Sequence, residues 1–179
     1  MKRIAIFQSD LNVGGIQKSI VNLLKNIDYE RFEVDLFLSE RSEFWKVDFP
    51  EQLHIRYLKP TSSVYKYMPF DMARRLLHYD FSDCGEYDLA IDFNSYQCSC
   101  AVGATSIPAK YRAMWVHNNV EIKLHDEWKY RVLWHFFKGK FKYYDAFVCV
   151  SEALIAPFRK MSGVENNPFL VIQNYIDVG

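Results

Sequence analysis

The sequence predicts an α/β fold: a Rossmann-like, doubly wound, mostly parallel sheet with helices on both faces. Three observations carry this reading. Apolar runs of strand length recur along the chain. Several of them are continuous rather than alternating, as in strands covered on both faces. Segments of helical periodicity separate many of them, and that alternation belongs to parallel sheets. The 179 residues suit one domain, and half of them are hydrophobic, enough for a sizeable core.

The elements run in order along the chain. Ile4–Phe7 is a strand that begins directly after Met-Lys-Arg, without a signal-peptide pattern. Ile16, Ile20, Leu23, Leu24 and Ile27 then fall on one face of a helix. Phe32–Leu38 and Ile55–Leu58 are the next strands, and Met68–Tyr79 reads as a helix within an otherwise polar connection. Leu89–Phe93, Tyr111–Val116 and Phe147–Val150 are further strands. Ser151 is placed as the N-cap of a helix over 152–161, with Glu152 in its first turn. Leu170–Ile172 closes the sheet. Residues 1–173 are expected to form the domain, and 174–179 the start of a linker cut at a domain boundary.

Composition removes several function classes. Lysine plus arginine and aspartate plus glutamate both number 22, so the net charge is zero. That argues against a nucleic-acid partner held by bulk electrostatics. Cys98 and Cys100 are followed by no second pair or histidine at finger spacing, so a zinc site is not expected. With Cys84 and Cys149 they read as reduced thiols of a cytoplasmic protein. No apolar run approaches the ~20 residues of a spanning helix.

In open parallel sheets ligands bind beyond the carboxyl ends of the strands. The polar and glycine residues just after the strand ends are Ser9, Asp10, Gly14 and Gly15; Ser39 and Glu40; Asn94 and Ser95; His117, Asn118 and Asn119; and Ser151 and Glu152. Gly14-Gly15 stands between a strand and a helix, where backbone N–H groups can approach an anion. A plain turn is the competing explanation. The dinucleotide fingerprint is not met, and the phosphate-loop pattern lacks the glycine before Lys18. His117 places an imidazole at a strand end, beside two asparagines able to hydrogen-bond hydroxyls.

Four segments, in order, resemble the retaining GT-B glycosyltransferases of family 4. They are "GGIQKSIVNLLKNIDYERFEVDLFL", "YRAMWVHNN", "AFVCVSEALIAPF" and "VIQNYIDVG", the last with Tyr175 where the family usually has proline. The resemblance implies a nucleotide-sugar donor, a glycan or lipid-linked acceptor, and no metal or other cofactor. Gly14 and Gly15 would bind the donor, and His117 would be the catalytic histidine near the reacting centre. Gln17 would contact the acceptor, with Asn94 and Asn118, while Asp10, Ser151 and Glu152 would line the cleft. An arginine–lysine pair and an E-x7-E motif that hold the diphosphate would lie in a C-terminal domain beyond this chain. Residues 1–179 alone would then have little transferase activity.

The segment 128–144, "WKYRVLWHFFKGKFKYY", carries five lysines and arginines and no acid. Tyr130, Leu133, Trp134, Phe137, Phe141 and Tyr144 form a core face at helical spacing. Trp128, Val132, Phe136 and Tyr143 form a second apolar sector, flanked by Lys129 and Lys140 on one edge and Arg131, Lys138 and Lys142 on the other. Two outcomes fit: burial of both faces within the domain, or contact of Trp128, Lys129, Arg131, Val132, Phe136 and Lys140 with the inner face of a membrane. Gly139 is a point where the helix can break.

Two alternative functions stand beside the transferase. One is a non-catalytic α/β domain that binds a sugar or a partner. The other is a flavodoxin- or receiver-like domain, for which Asp10 and Asp92 would be the acidic residues at strand ends.

Overall fold

The computed structural model describes residues 1–41 and 48–174. The sequence places a linker over 174–179, and of it only Asn174 lies within the described residues. Among the described residues seven strands form one sheet: β1 (Lys2–Gln8), β2 (Phe32–Leu38), β3 (Leu53–Tyr57), β4 (Tyr87–Asp92), β5 (Ala109–Val116), β6 (Ala146–Cys149) and β7 (Phe169–Val171). Their order is β3-β2-β1-β4-β5-β6-β7, and every pairing is parallel. Each strand overlaps one of the apolar runs of the sequence, with bounds shifted by one or two residues at most ends; β3 begins two residues before the run at Ile55.

Among the described residues six helices make crossovers: α1 (Gly15–Asn26), α2 (Phe70–Leu76), α3 (Cys98–Ser106), α4 (Val120–Asp126), α5 (Trp128–Phe137) and α6 (Ile155–Ser162). Short 3-10 turns at Ser63–Tyr67, Lys138–Tyr143 and Glu152–Leu154 join them. Ser151 caps the last of these turns, its hydroxyl accepting from the Ala153 N–H at 3.4 Å. No helix of the described residues is long and apolar enough to cross a membrane.

Side chains alternate across the sheet and separate two cores. Ile6, Ile91, Phe93, Trp115 and Val148 pack with Ile20 and Leu24 of α1 on one face. Phe7, Phe37 and Ala90 pack with α2 and α3 on the other. Met114, Phe147 and Phe158 continue that second face under α4 and α6. All four cysteines are buried as free thiols.

The helix α3 was not legible as a periodic segment. From Cys98 to Thr105 every residue is buried, so it has no polar face to set a phase. Small residues let it approach the sheet closely. A Cβ on Gly103 would lie 2.4 Å from Cε1 of Phe7, whose ring stacks on Phe37 at 4.7 Å. Gly103→Ala is therefore expected to destabilise the fold by about 1–3 kcal/mol, despite alanine's better helix propensity. Urea unfolding measures it, and Phe7→Leu in the same chain should recover part of the loss.

The chain leaves β7 towards α1. Asn174 Oδ1 accepts a hydrogen bond of 2.6 Å from the Ser19 hydroxyl.

Candidate functional site

The crossovers from β1 and β4 depart on opposite faces, because α1 belongs to one core and α3 to the other. A crevice opens where two adjacent strands diverge in this way. Ser9 and Asp10 leave the end of β1 there, and Asn94 and Ser95 the end of β4. Hydrogen bonds tie the two sides together. Asn94 Nδ2 donates to Ser9 Oγ at 2.9 Å, and Ser9 Oγ donates to Asp10 Oδ2 at 2.6 Å. Asp10 Oδ1 accepts from the Asn12 N–H at 2.9 Å and from Gln17 Nε2 at 3.1 Å. Asp10, Gln17 and Asn94 therefore form one network across the junction.

That network supports the first turn of α1. The helix begins after Gly14 with no side-chain cap, so its leading N–H groups stay available. A Cβ on Gly14 would meet Gln17 Oε1 at 2.3 Å and push the amide off Asp10. Around Gly15 there is nothing within 4 Å of such an atom. An uncapped helix end facing open space suits an anionic group.

His117 follows β5 on the same face as α1, its ring 4.7 Å from that of Phe93. Its Nε2 lies 2.9 Å from the Phe93 carbonyl oxygen. A carbonyl only accepts, so Nε2 carries the proton and Nδ1 is the acceptor. Nδ1 is buried and has no hydrogen-bond partner among the described residues. Burial lowers the imidazole pKa to about 4, against the pull of the Phe93 carbonyl. His117 is therefore neutral at physiological pH. Asn118 is half-buried beside it. Asn119 caps α4, its Oδ1 accepting from the Glu121 and Ile122 N–H groups at 3.0 and 3.3 Å. Its amide oxygen is thereby engaged in holding the helix.

On the opposite face the structure reveals a group that the sequence reading missed. Asp92 and Lys140 are 0% and 1% exposed. Lys140 Nζ lies 3.3 Å from Asp92 Oδ2 and donates to the Ser95 carbonyl, while the Tyr144 hydroxyl donates to Asp92 Oδ2 at 2.7 Å. Burial raises the Asp92 pKa against the pull of Lys140 and Tyr144. The expectation that Lys140 meets a membrane is corrected here. The α-helix ends at Phe137 and continues as a 3-10 turn, in which residues three apart eclipse. Lys140 thereby comes round beneath Phe137 to the inward face. The lysine among aromatic core positions was the available signal. The ion pair also removes Asp92 as an exposed phospho-acceptor, against the receiver-like alternative.

A polar cleft of about 280 Å³ lies on the β1–β2–β3 side of the junction. Ser9, Ser39, Thr61, Lys66, Gln97 and Ser99 are among the residues lining it. Ser151 and Glu152 stand at the same sheet edge, but after β6, two strands from β4. They line the far end of that edge rather than the β1–β4 network. Glu33, Asp35 and His54 form another cluster of acids and histidine. There the Asp35 carboxylate is already engaged by Arg3, Arg56 and Tyr87.

The model of the Glycosyltransferase Family 4 matches residues 13–179. Among solved structures, apo UGT2 of Phytolacca americana is similar in fold, with a TM-score of 0.54 at 11% identity. The match covers 99% of this chain and 53% of the plant chain, so this chain spans about half the length of that protein. No curated protein matches the chain.

Proposed function

The chain belongs to glycosyltransferase family 4, and from that membership we propose that it is the acceptor-side domain of a retaining transferase. The whole enzyme would move a sugar from a nucleotide-sugar donor to a glycan or lipid-linked acceptor, in building a surface polysaccharide on the cytoplasmic face of a membrane. One observation carries the reading: the uncapped start of α1 at the β1–β4 junction and the acceptor of His117 at the end of neighbouring β5, without a partner among the described residues, lie on one sheet face.

The leading N–H groups of α1, at Gly14 and Gly15, meet charge on the donor as the diphosphate departs. His117, neutral and with Nδ1 free to accept, orients a substrate hydroxyl. With a pKa of about 4 it positions that hydroxyl instead of removing its proton. Nδ1 is screened from water, so the turn 117–119 must adjust as substrate enters. Gln17, Asn94 and Asn118 serve the acceptor, and Asp10, Ser151 and Glu152 shape the edge around it. A second domain completes the grip on the diphosphate, so residues 1–179 alone turn over little. No metal or other cofactor is required.

A non-catalytic sugar- or partner-binding domain is the second reading. What favours it is that the Gln17 and Asn94 amides already satisfy partners within the domain. The test is transfer by the chain with whatever its reading frame encodes after Gly179, over a panel of nucleotide sugars. The coupling constant of the new anomeric proton reads out retention. Transfer with retention is the expected result. Saturation-transfer contacts to sugar without any turnover would favour the second reading.

A further inference from the structure

We propose that α5 and the 3-10 turn Ser63–Tyr67 together form one docking face for an anionic lipid bilayer, at the mouth of the polar cleft. The helix α5 does not bury both of its apolar sectors. Tyr130, Leu133, Trp134 and Phe137 face the cores. Trp128 and Val132, one turn apart on the other side, are 62% and 42% exposed. Lys129 and Arg131 flank them and are exposed too.

The second half of the face is an element the sequence does not mark as helical. The turn Ser63–Tyr67 packs against α5. Tyr65 and Met68 turn inward to the cluster that holds Leu133 and Phe137. Val64 and Tyr67 stay outside, 55% and 52% exposed, and Lys66 Nζ sits 5.1 Å from the Tyr67 ring centre. Two neighbouring elements thus present an aromatic and an aliphatic residue each, and each carries basic residues of its own.

Charge selects the occupant. Residues 59–70 and 128–144 contain no aspartate or glutamate. Lys66, Lys129, Arg131 and Lys138 therefore leave the face net positive beside Glu127, the N-cap of α5, and Glu40 of the cleft. A second copy would oppose like charge to like charge. Amphipathic rings among lysines and arginines match the headgroup layer of an anionic membrane.

The face is continuous with the cleft. Ser62, Ser63 and Lys66 line it, as does Tyr96. Tyr96 packs edge-on against Tyr130 of α5 at 5.6 Å, and Lys123 Nζ lies 4.5 and 4.1 Å from the two ring centres. A bilayer resting on this face places its headgroups at the cleft mouth. Resting on the transferase reading for this one step, the acceptor is then a lipid-linked sugar that keeps its tail in the membrane.

Co-sedimentation with vesicles tests the docking face without any transfer. Vesicles of phosphatidylcholine with phosphatidylglycerol should pull the protein down at low salt, and pure phosphatidylcholine vesicles should not. Removing both flanking charges, in Lys129→Gln/Arg131→Gln, should weaken partitioning roughly 25-fold, about fivefold per charge. Trp128→Ser/Val132→Ser and Val64→Ser/Tyr67→Ser should each weaken it about tenfold or more. All these positions are exposed, and circular dichroism checks that the variants fold. Wild-type protein left in the supernatant with anionic vesicles overturns the proposal. So does loss confined to the α5 variants, which removes the turn from the face. Self-association abolished by the same substitutions, without vesicle binding, assigns the surface to a second copy instead. Vesicle binding by the chain together with whatever its reading frame encodes after Gly179, without sugar transfer, would refute only the transferase reading.

Discussion

Lys140→Met is expected to be among the most damaging substitutions in this domain, costing about 3–5 kcal/mol of folding free energy. It leaves Asp92 fully buried, with its cationic partner gone. The Tyr144 hydroxyl remains at 2.7 Å, but one neutral donor does not replace an ammonium. The Ser95 carbonyl also loses its donor. Urea unfolding reads the loss as a lowered midpoint. The double variant Lys140→Met/Asp92→Asn should recover most of it, because a neutral amide no longer strands a charge. Additive losses in the double variant would show that the pair is uncoupled. The consequence reaches the site, since Ser95 follows Asn94, whose amide holds Ser9.

His117→Ala is expected to lower the kcat/KM of the whole transferase about a hundredfold. A substrate hydroxyl left without its acceptor in a desolvated site costs about 1–3 kcal/mol. His117→Asn, which keeps a polar side chain, should recover part. The histidine also has a signature in pH. Its folded pKa is about 4, below the unfolded value of about 6.5. Above pH 6.5 it is neutral in both states and neither stabilises nor destabilises the fold. As pH falls below 6.5 the unfolded chain takes up a proton that the folded one refuses, and stability declines. The loss levels off below about pH 4, after a maximum of about 3 kcal/mol. Unfolding midpoints across that window should slope for the wild type and less for His117→Leu. An activity limb near pH 6.5 in place of one near 4 would show that the imidazole is solvated in the working enzyme.

The strands were legible because parallel strands are apolar on both faces, so Ile4–Phe7 and Ala146–Cys149 read as unbroken runs, and Phe32–Leu38 as a run broken only by Glu33 and Asp35. The sheet edge followed from topology, and with it the grouping of Asp10, Asn94 and His117, while Gln17 came only from the family resemblance. What was not legible depended on local geometry. The helix α4 is seven residues long, too short to show a period, and its cap Asn119 looks in sequence like a ligand-binding asparagine. Lys140 reads as a flanking charge until an α-helix tightens into a 3-10 turn and rotates it inward. The fate of the second face of α5 was open in the sequence, because exposure depends on what the neighbouring turn covers.

The hydrogen bond between Ser19 and Asn174 gives the segment after β7 a mechanical part to play. An exposed bond between neutral side chains contributes at most about 1 kcal/mol, so it is closed about five times for each time it is open. Such a fastening behaves as a detent: it defines a resting position and yields to thermal energy. Because Ser19 sits one turn into α1, a pull on Asn174 is felt by the helix whose first turn borders the crevice.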